Sequence, residues 1–595
     1  MLFRSTYADG TSTTASTLVP YLSHSTTYTF RISAVNAAGT GTASDAASVA
    51  TATTAGAPTG LTATQGVAEV DLAWTAPASD GGAALTDYTV EYSSDSGSTW
   101  TTFEDGTSTT GSTTVTGLSN GTTYVFRVSA ANAVGTGAVS DSASATTVSE
   151  PDPPTGLSAT AGIEEVALSW TAPSSNGGSA ITDYTVEYSS DSGTTWTTFT
   201  DGTSTTASTT VTGLANSTTY TFRVSAVNAA GTGTASDTGS VATRGLTISQ
   251  LVPSLAFERG TSVAIRNDGT PFVTSYANNA LKGTDCQNSD CTTETTESID
   301  SSINRVGQYS AVVIGSDGNP VVAYEDETNG HLKVAACLDT ACSSATITSI
   351  DQGGSSNNSV GFYIAIAIGA DDNPVITHYD LTDTALKVVA CSNPTCTSAT
   401  ITAVSSPKRG EWSSVAIGAD NNPVISFFDN ITGHKLFVAI CSNTTCTSST
   451  VTYLTSNNGR QSSIAIGSDN NPIISTERSG ALEIVACADT ACSSTTTTSL
   501  GVSLTQPGDS AFERGTQIAI GTDDKPVIVF TDSDGNLGVA ECSATDCSTG
   551  ATISTIADAG TSVSLAIRDS DNARIITYLD PGNAMSLKIA VLSAP

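Results

Sequence analysis

Short apolar runs separated by turn residues repeat along the C-terminal part of the chain. In residues 413–456 the runs are SSVAIG, PVISFF, KLFVAIC and STVTYLT. Each is rich in Val, Ile, Thr and aromatic residues, which predicts a strand, and none has the periodicity of a helix. The repeated phrase therefore predicts a unit of four strands, here called a to d in chain order. A proline opens strand b of six copies, at Pro271, Pro320, Pro374, Pro423, Pro472 and Pro526.

The number of copies indicates a closed ring. Four strands in a unit of about 45 residues are typical of the blade of a β-propeller. A seventh copy starts near Ser562 and ends with SLKIAVL, without a strand d. Residues 246–252 (LTISQLV), which precede the first strand a, resemble the missing strand. We therefore predict a seven-bladed propeller over residues 245–595, closed by an N-terminal strand d; a solenoid would not need complementary ends.

Two near copies offset by 96 residues precede this region, at residues 56–148 and 153–244. Each opens with Pro-Thr-Gly-Leu and contains the segment GLSNGTTYVFRVSAAN or GLANSTTYTFRVSAVN. The corresponding aromatic residues are Trp74 and Trp170, Tyr88 and Tyr184, Trp100 and Trp196, and Tyr124 and Tyr220. Both copies resemble the fibronectin type III family, with a spacing before Tyr124 and Tyr220 that is similar to its tyrosine corner. The resemblance implies seven-stranded β-sandwiches at 56–149 and 150–244, usually spacers or binding modules.

Residues 1–55 keep the same register, since Tyr28 lies 96 residues before Tyr124. The equivalents of Trp74 and Tyr88 would fall before residue 1. Half a sandwich cannot bury its own core. We expect residues 1–55 to be the C-terminal half of a fibronectin type III domain, in a fragment of a longer protein. The alternative is self-assembly, in which another chain donates the missing strands.

All twelve cysteines fall in pairs separated by four residues, where strand c turns into strand d. Residues that flank a tight antiparallel turn face each other at disulfide distance. Zinc would need four ligands at each site, and the chain has only four histidines. We therefore predict six disulfides and an oxidising compartment. The pairs are Cys286–Cys291, Cys337–Cys342, Cys391–Cys396, Cys441–Cys446, Cys487–Cys492 and Cys542–Cys547.

The net charge of −35 and the pI near 4.1 disfavour nucleic acid or an anionic membrane as the main partner. No apolar run is long enough to span a membrane. No signal peptide is recognisable at Met1, and we attribute its absence to truncation. The expected protein is extracellular, either secreted or at a cell surface, with fibronectin type III domains forming a stalk that presents the propeller.

The mouth of the propeller is the candidate ligand site. Six positions before the last Ile of strand a stand Arg259, Arg460 and Arg514, in blades one, five and six. Five positions before it, in blades two, three and four, stand Tyr309, Tyr363 and Trp412. Aromatic faces stack on sugars, and Arg pairs with carboxylate or sulfate, so glycan is the expected ligand class, with a surface protein as the other candidate partner. The structural alternative pairs these Arg with the Asp residues that end strand b, and has the aromatics seal the junctions between blades.

The sequence offers two further kinds of candidate site. The turns between strands a and b, such as SDGNP and ADNNP, carry Asp and Asn that suit calcium, but turns closed by their own side chains explain them better. No metal or other cofactor is therefore expected. Glu325, Glu411 and Glu477 depart from the repeat, and nothing in the sequence pairs them as catalytic acids. His378 and His434 are isolated, as for solvated loop residues.

These observations predict an all-β extracellular protein for adhesion or ligand binding, not an enzyme. One alternative is a structural subunit of an extracellular fibre or surface layer. The other is a propeller glycosidase or lyase.

Overall fold

The computed structural model describes residues 6–8, 10–252, 260–301, 305–353, 360–405, 409–429, 435–455, 459–504, 515–557, 560–581 and 585–594, with only the backbone of residues 409, 459 and 460. Within these ranges the regular structure is entirely β, which confirms the predicted class. No helix in the described part of the chain is long and apolar enough to cross a membrane. The contacts divide the chain into two units: residues 1–159, 167–211 and 220–241, and residues 160–166, 212–219 and 242–595.

Twenty strands lie in the described residues before residue 246. They are β1 (Thr27–Phe30), β2 (Val35–Asn36), β3 (Gly39–Thr40), β4 (Ala47–Ala50), β5 (Thr59–Gln65), β6 (Glu69–Thr75), β7 (Leu85–Ser93), β8 (Thr101–Phe103), β9 (Ser112–Thr116), β10 (Thr123–Asn132), β11 (Gly135–Val139), β12 (Ala143–Thr146), β13 (Thr155–Ala161), β14 (Glu165–Thr171), β15 (Asp183–Ser189), β16 (Thr197–Phe199), β17 (Ser208–Thr212), β18 (Thr219–Asn228), β19 (Gly231–Thr232) and β20 (Gly239–Ala242).

Strands β5 to β12 form a sandwich of a three-stranded sheet, β5-β6-β9, and a five-stranded sheet, β11-β10-β7-β8 with β12 paired to β10. Alternate residues of β6 and β10 are buried because one face of each sheet lines the core. Trp74 and Tyr88 meet edge to face there, with ring centroids 5.2 Å apart. The Tyr124 hydroxyl accepts a hydrogen bond from the Ser119 N–H at 3.1 Å, which is the predicted tyrosine corner.

Strands β13 to β20 repeat this arrangement, with sheets β13-β14-β17 and β16-β15-β18-β19 and β20 paired to β18. Trp170 and Tyr184 again lie 5.2 Å apart. In residues 1–55, β1 pairs with β4 and β2 with β3. Ile32 there is 73% exposed, whereas its counterpart Val128 is fully buried. The N-terminal segment therefore has part of the sandwich register without a closed core.

Seven antiparallel sheets follow, each with the four strands predicted. The strand that enters this region is β21 (Leu246–Val252). Sheets one to three comprise β22 (Thr261–Ile265), β23 (Pro271–Ala277), β24 (Ala280–Cys286) and β25 (Glu294–Asp300); β26 (Val306–Ile314), β27 (Pro320–Asp326), β28 (His331–Cys337) and β29 (Ala345–Asp351); and β30 (Val360–Ile368), β31 (Pro374–Asp380), β32 (Ala385–Cys391) and β33 (Ala399–Ala403).

The remaining sheets continue in chain order. Sheets four to six comprise β34 (Arg409–Ile417), β35 (Pro423–Asp429), β36 (Lys435–Cys441) and β37 (Ser449–Thr455); β38 (Gly459–Ile466), β39 (Pro472–Arg478), β40 (Ala481–Cys487) and β41 (Thr495–Ser503); and β42 (Thr516–Ile520), β43 (Pro526–Thr531), β44 (Leu537–Cys542) and β45 (Ala551–Ala557). Sheet seven comprises β46 (Thr561–Arg568), β47 (Ala573–Asp580), β48 (Ser586–Leu592) and β21, which pairs with β48 as its fourth strand. A single parallel bridge between β32 and β34 joins sheets three and four.

Each sheet packs face to face on the next one in sequence. Strand a of every sheet contacts strand a of the following sheet, and β46 of sheet seven contacts β22 of sheet one. Apolar clusters among the described residues fill each of these junctions, including the one between sheets seven and one. Burial of these apolar surfaces is the main force that holds the sheets together.

All six predicted cysteine pairs are disulfides, with Cα atoms 4.8 to 5.0 Å apart. In each pair the first cysteine ends strand c and the second lies in the turn to strand d. Sheet seven has no such turn because its strand d is β21. The disulfides therefore hold the outermost strand of six sheets against its neighbour.

Candidate functional site

A repeated backbone feature sets the candidate site at the start of strand a. Five residues before its last Ile, strand a has a left-handed residue in six sheets, where most side chains other than glycine are disfavoured. The φ angles are +86° at Gly260, 53° at Tyr309, 53° at Tyr363, 48° at Trp412, 71° at Gln461 and 52° at Ser562. Gly515 occupies the same position in sheet six, and we call these seven the bulge residues. Register shifts accompany five of them, and such bulges redirect a side chain.

The three aromatic bulge residues form a continuous series across sheets two, three and four. The ring centroids of Tyr309 and Tyr363 are 6.0 Å apart, and those of Tyr363 and Trp412 are 5.0 Å apart. Tyr309 and Trp412 are mostly buried, and Tyr363 is half-buried. The indole N–H of Trp412 donates to no described protein group. These rings therefore seal the junctions of sheets two to four, as the structural alternative predicts, and also face a cavity.

The cavity has a volume of about 600 Å³, including the solvent at its mouth. The described residues around it are aromatic or uncharged. They are Gly260, Tyr309, Ser310, Tyr363, Trp412, Ser413, Ser414, Gln461, Ser462, Ser463, Thr516 and Gln517.

Most hydroxyl groups around the cavity are already committed to bonds between sheets. The residue that follows the bulge residue forms a side-chain hydrogen bond with a hydroxyl group of strand b in the preceding sheet. Ser462 and Ser426 form this bond at 3.0 Å. The side chain two residues after the bulge residue accepts a hydrogen bond from a backbone N–H of the following sheet. The Ser414 hydroxyl accepts the Ile464 N–H in this way at 3.2 Å. Equivalent bonds recur at other junctions between sheets, with the Gln517 amide oxygen as the acceptor for the Leu565 N–H. These hydroxyls hold the sheets together, so a ligand would depend mainly on the aromatic side.

The side chains that accept these backbone N–H groups are missing in two of the three sheets that have an aromatic bulge residue. Ala311 and Ala365 take the accepting position in sheets two and three, and their methyl groups accept no hydrogen bond. Tyr309, Tyr363 and Trp412 meet across the same two junctions. Ring packing thus replaces hydrogen bonding on that side.

The three predicted arginines differ from the aromatic residues in what the structure describes. Arg259 and Arg514 lie outside the described residues, as does the side chain of Arg460. The backbone of Arg460 belongs to β38 and stands opposite Glu477. The aromatic half of the predicted site is thus brought together around the cavity, and the arginine half stays a prediction.

Three of the Asp residues that end strand b pair with lysines, which the sequence does not predict. Asp326 pairs with Lys333 at 3.1 Å. Asp380 pairs with Lys387, and Asp580 pairs with Lys588 of β48. Each of these lysines lies in strand c of the same sheet. These described ion pairs use lysine within one sheet, whereas the structural alternative expected arginine from another sheet.

Two of these lysines also contact an Asp at the end of strand d of the preceding sheet. Lys333 lies 3.3 Å from Asp300, and Lys387 lies 3.5 Å from Asp351. Both clusters are largely buried, at the junctions of sheets one and two and of sheets two and three. Sequence spacing could have revealed them, because SID occurs at the end of β25 and of β29.

The candidate acids do not form a catalytic pair in the described structure. Glu325 and Glu477 are buried in strand b of different sheets, and Glu477 accepts the Gly480 N–H at 2.6 Å. Glu411 lies in β34. His378 is fully buried in β31, 3.4 Å from Asp351, which corrects the expectation of a solvated loop residue. His434 lies outside the described residues.

The turns between strands a and b close on themselves and on each other. Within a turn, Asp420 accepts the Asn422 N–H at 3.0 Å and its side-chain amide at 2.7 Å. Between turns, Asn470 of sheet five accepts the Ala419 N–H of sheet four at 2.7 Å. Equivalent bonds link further turns. No group of three or more potential metal ligands occurs among the described residues. The side chains proposed for calcium are therefore engaged in hydrogen bonds.

Comparison with known proteins identifies the sandwiches. The family model of the fibronectin type III domain matches residues 56–146 and 152–241. These two segments are fibronectin type III domains. The prediction from the Trp, Tyr and tyrosine-corner positions is confirmed there.

The similar curated proteins are very long compared with this chain. The chain is 30% identical to titin of Drosophila melanogaster over 172 residues, which is 28% of this chain and 1% of titin. It is 30% identical to human myomesin-2 over 222 residues, or 36% of this chain and 15% of myomesin-2. It is 32% identical to the M-protein of striated muscle of Gallus gallus over 221 residues, or 35% of this chain and 15% of that protein. The chain thus spans between 1% and 15% of these three relatives.

Among solved structures, the FN1–FN3 domains of chicken CNTN1 are 21% identical, with a TM-score of 0.18; the match covers 37% of this chain and 79% of that chain. The names of the curated relatives are not those of enzymes. These relatives are consistent with the prediction that the protein is not an enzyme. It is a protein rich in fibronectin type III domains, consistent with a structural or adhesive role.

Proposed function

We propose that this is an extracellular adhesion protein that binds a glycan in the cavity bounded by Tyr309, Tyr363 and Trp412. In this proposal residues 245–595 are a seven-bladed propeller and its seven sheets are the blades. The contacts from strand a to strand a, including those between β46 and β22, support this assignment. The pairing of β21 with β48 supports closure by an N-terminal strand d.

The observation that carries the glycan proposal is the aromatic series along one side of the cavity. Aromatic rings stack on the apolar faces of sugars, and the Trp412 N–H offers a donor to a sugar oxygen. The described lining has no charged side chain, which favours a neutral sugar unit at this side. Arg259, Arg460 and Arg514 remain proposed contacts for an acidic group. Six disulfides support an extracellular location.

The test is a glycan-array screen of the full chain, followed by titration calorimetry with any bound glycan. We expect Tyr363→Ala to weaken binding about tenfold or more, which corresponds to about 1.4 kcal/mol. Trp412→Phe keeps a packed ring but removes the N–H donor, and is expected to weaken binding less. The matched control is Tyr453→Ala, which removes an exposed tyrosine from β37 and should leave affinity unchanged. The absence of any glycan ligand, or binding that is unaffected by Tyr363→Ala, would reject the proposal.

A second candidate function is a structural subunit that self-assembles through residues 1–55. Its support is the exposure of Leu18, Ile32 and Val49, at 81%, 73% and 58%. A contiguous exposed apolar surface is typical of an interaction site, and this candidate assigns these three side chains to one. Sedimentation velocity should then show oligomers that Ile32→Asp dissociates and Val139→Asp, at an exposed position of β11, does not. A chain that is monomeric at high concentration would contradict this candidate.

A further inference from the structure

The buried cluster at the junction of sheets one and two contains one lysine and two carboxyl groups. Lys333 Nζ lies 3.3 Å from Oδ2 of Asp300 and 3.1 Å from Oδ2 of Asp326. The Lys333 side chain is 10% exposed, and both Asp side chains are fully buried. Asp300 belongs to sheet one, whereas Lys333 and Asp326 belong to sheet two. A covalent link between Lys333 and Asp300 would therefore join the two sheets.

The charges of this cluster do not balance. If all three groups were ionised, the net charge of the lysine and the two carboxylates would be negative in a buried site. Two carboxylates that share a site favour protonation of one of them, and buried ions carry a large desolvation cost. A neutral carboxyl next to a lysine is the starting state for amide formation.

The hydrogen bonds give the two carboxyl groups different roles. Asp326 accepts the Asn329 N–H at 3.1 Å and its side-chain amide at 3.0 Å, and its Oδ2 lies nearer to Lys333 Nζ than that of Asp300 does. Asp300 is the register partner of the fully buried Leu281 and accepts the Tyr324 hydroxyl at 2.7 Å. We assign Asp326 as the base, Asp300 as the electrophile, and the Tyr324 hydroxyl as the donor to the developing oxyanion.

We propose that Lys333 and Asp300 form an intramolecular amide bond that links sheet one to sheet two. Asp326 takes a proton from the Lys333 ammonium, and the free amine attacks Cγ of the protonated Asp300. The N–C bond forms, a C–O bond breaks, and the hydroxyl group leaves as water with a proton from the former amine. Asp326 ends as the neutral acid. Ammonium, carboxylic acid and carboxylate thus become an amide, water and a carboxylic acid, with no oxidant or cofactor and no buried charge left.

The junction of sheets two and three provides an internal comparison. Lys387 has Asp351 and Asp380 in the places of Asp300 and Asp326. Two features differ: Lys387 also pairs with Asp383 at 2.9 Å, and His378 stands in the place of Tyr324. Burial works against the charge of Lys387, yet its hydrogen bonds to Asp380 and Asp383 raise its pKa above the usual value. The Asp383 side chain is 58% exposed and connects this cluster to solvent. Lys387 therefore stays protonated and is expected to remain unreacted.

The experiment is the intact mass of the purified, folded full chain, measured after denaturation without reduction. The expected mass is that of the sequence with six disulfides, less one water molecule. Proteolysis should release a branched peptide that joins Lys333 to Asp300. Lys333→Arg and Asp326→Asn should each restore the missing water, and Lys387→Arg should not.

Circular dichroism of each variant separates loss of the bond from loss of the fold. The wild-type mass decides the proposal even if a variant does not fold. A folded wild-type chain with the full calculated mass would overturn the amide and leave the cluster as an ion pair. A mass deficit that persists in a folded Lys333→Arg variant would also overturn it, because the water would then have been lost elsewhere, for example in a succinimide.

Discussion

The fibronectin type III domains and the seven sheets use repetition in different ways. In the two domains the side chains repeat together with their contacts: the Arg127 guanidinium lies 4.0 Å from the Trp100 ring, and that of Arg223 lies 4.1 Å from the Trp196 ring. In the seven sheets the backbone repeats, but the side chains at the bulge positions change from sheet to sheet. Side chains that are the same in every copy serve the fold of the repeat. Side chains that differ between copies while the backbone stays the same can serve a binding site.

The row of side chains across strands b, c and d of each sheet shows the same difference. In sheet four the row is Phe427, Phe437 and Tyr453, with successive ring centroids 5.6 and 5.7 Å apart. In sheet two the row begins with Tyr324 and Lys333, next to two buried Asp side chains. One backbone thus accommodates an apolar row in one sheet and an ionic row in another.

The largest predicted effect tests the equivalence of the two sandwiches. Trp74→Ala and Trp170→Ala should each lower the free energy of unfolding of their own domain by about 3–5 kcal/mol, since each removes a buried ring. Hydrogen exchange followed by mass spectrometry of the full chain measures the two domains separately. Effects that differ strongly between the domains would show that the copies are not energetically equivalent.

The next effect tests the disulfides of the sheets. Replacing both Cys441 and Cys446 by Ser should lower stability by about 2 kcal/mol, because the bond closes a short loop in the unfolded chain. The same change at Cys337 and Cys342 should cost a similar amount, since both bonds span a sequence separation of 5. Denaturant unfolding gives both values. Unchanged stability in both variants would mean that strand d is held by its backbone pairing alone.

A smaller effect tests the left-handed backbone of the bulge. At Tyr363, where φ is 53°, the Gly variant should be more stable than the Ala variant by about 1 kcal/mol, because only Gly avoids the strain. At the next residue, Ile364, the order should be reversed, since Gly in a strand interior loses more conformational entropy. Denaturant unfolding of the four variants provides the comparison. An Ala variant more stable than Gly at Tyr363 would contradict the bulge geometry.

The smallest effect concerns pH and should again be equal in the two domains. The backbone N–H of Thr99, with side-chain hydrogen bonds from Ser93 and Thr99, lowers the pKa of Asp95 from 3.8 to about 2. The equivalent bonds lower the pKa of Asp191 to about 2. Because the folded pKa is depressed, this stabilisation is present above about pH 3.8 and is lost as the pH falls through about 2.

Carboxyl chemical shifts recorded by NMR at decreasing pH should give the same midpoint for Asp95 and Asp191. Ser93→Ala should move the midpoint of Asp95 upward and leave that of Asp191 unchanged. Midpoints near the ordinary value for both carboxyls would contradict the hydrogen bonds described.

Much of the fold could be predicted because it depends on local patterns. Alternating apolar residues and turn residues placed the four strands of each sheet, and the cysteine spacing placed the disulfides. The pairing of β21 with β48 was predicted because residues 246–252 resemble the strand that sheet seven lacks. Tyr309, Tyr363 and Trp412 share one position of the repeat, and their rings meet in the structure, but their role in binding a ligand stays a prediction.

The sequence by itself thus determined the strands, the disulfide pairs, the two fibronectin type III domains and the aromatic positions, since each depends on neighbours in the chain. Only the tertiary structure decided which buried charges meet. Lys333 contacts Asp300, 33 residues away, because sheets one and two pack face to face. It also decided that His378 is buried, since sheet two covers that face of sheet three. Such contacts depend on how the faces of neighbouring sheets are brought together, which no local pattern specifies.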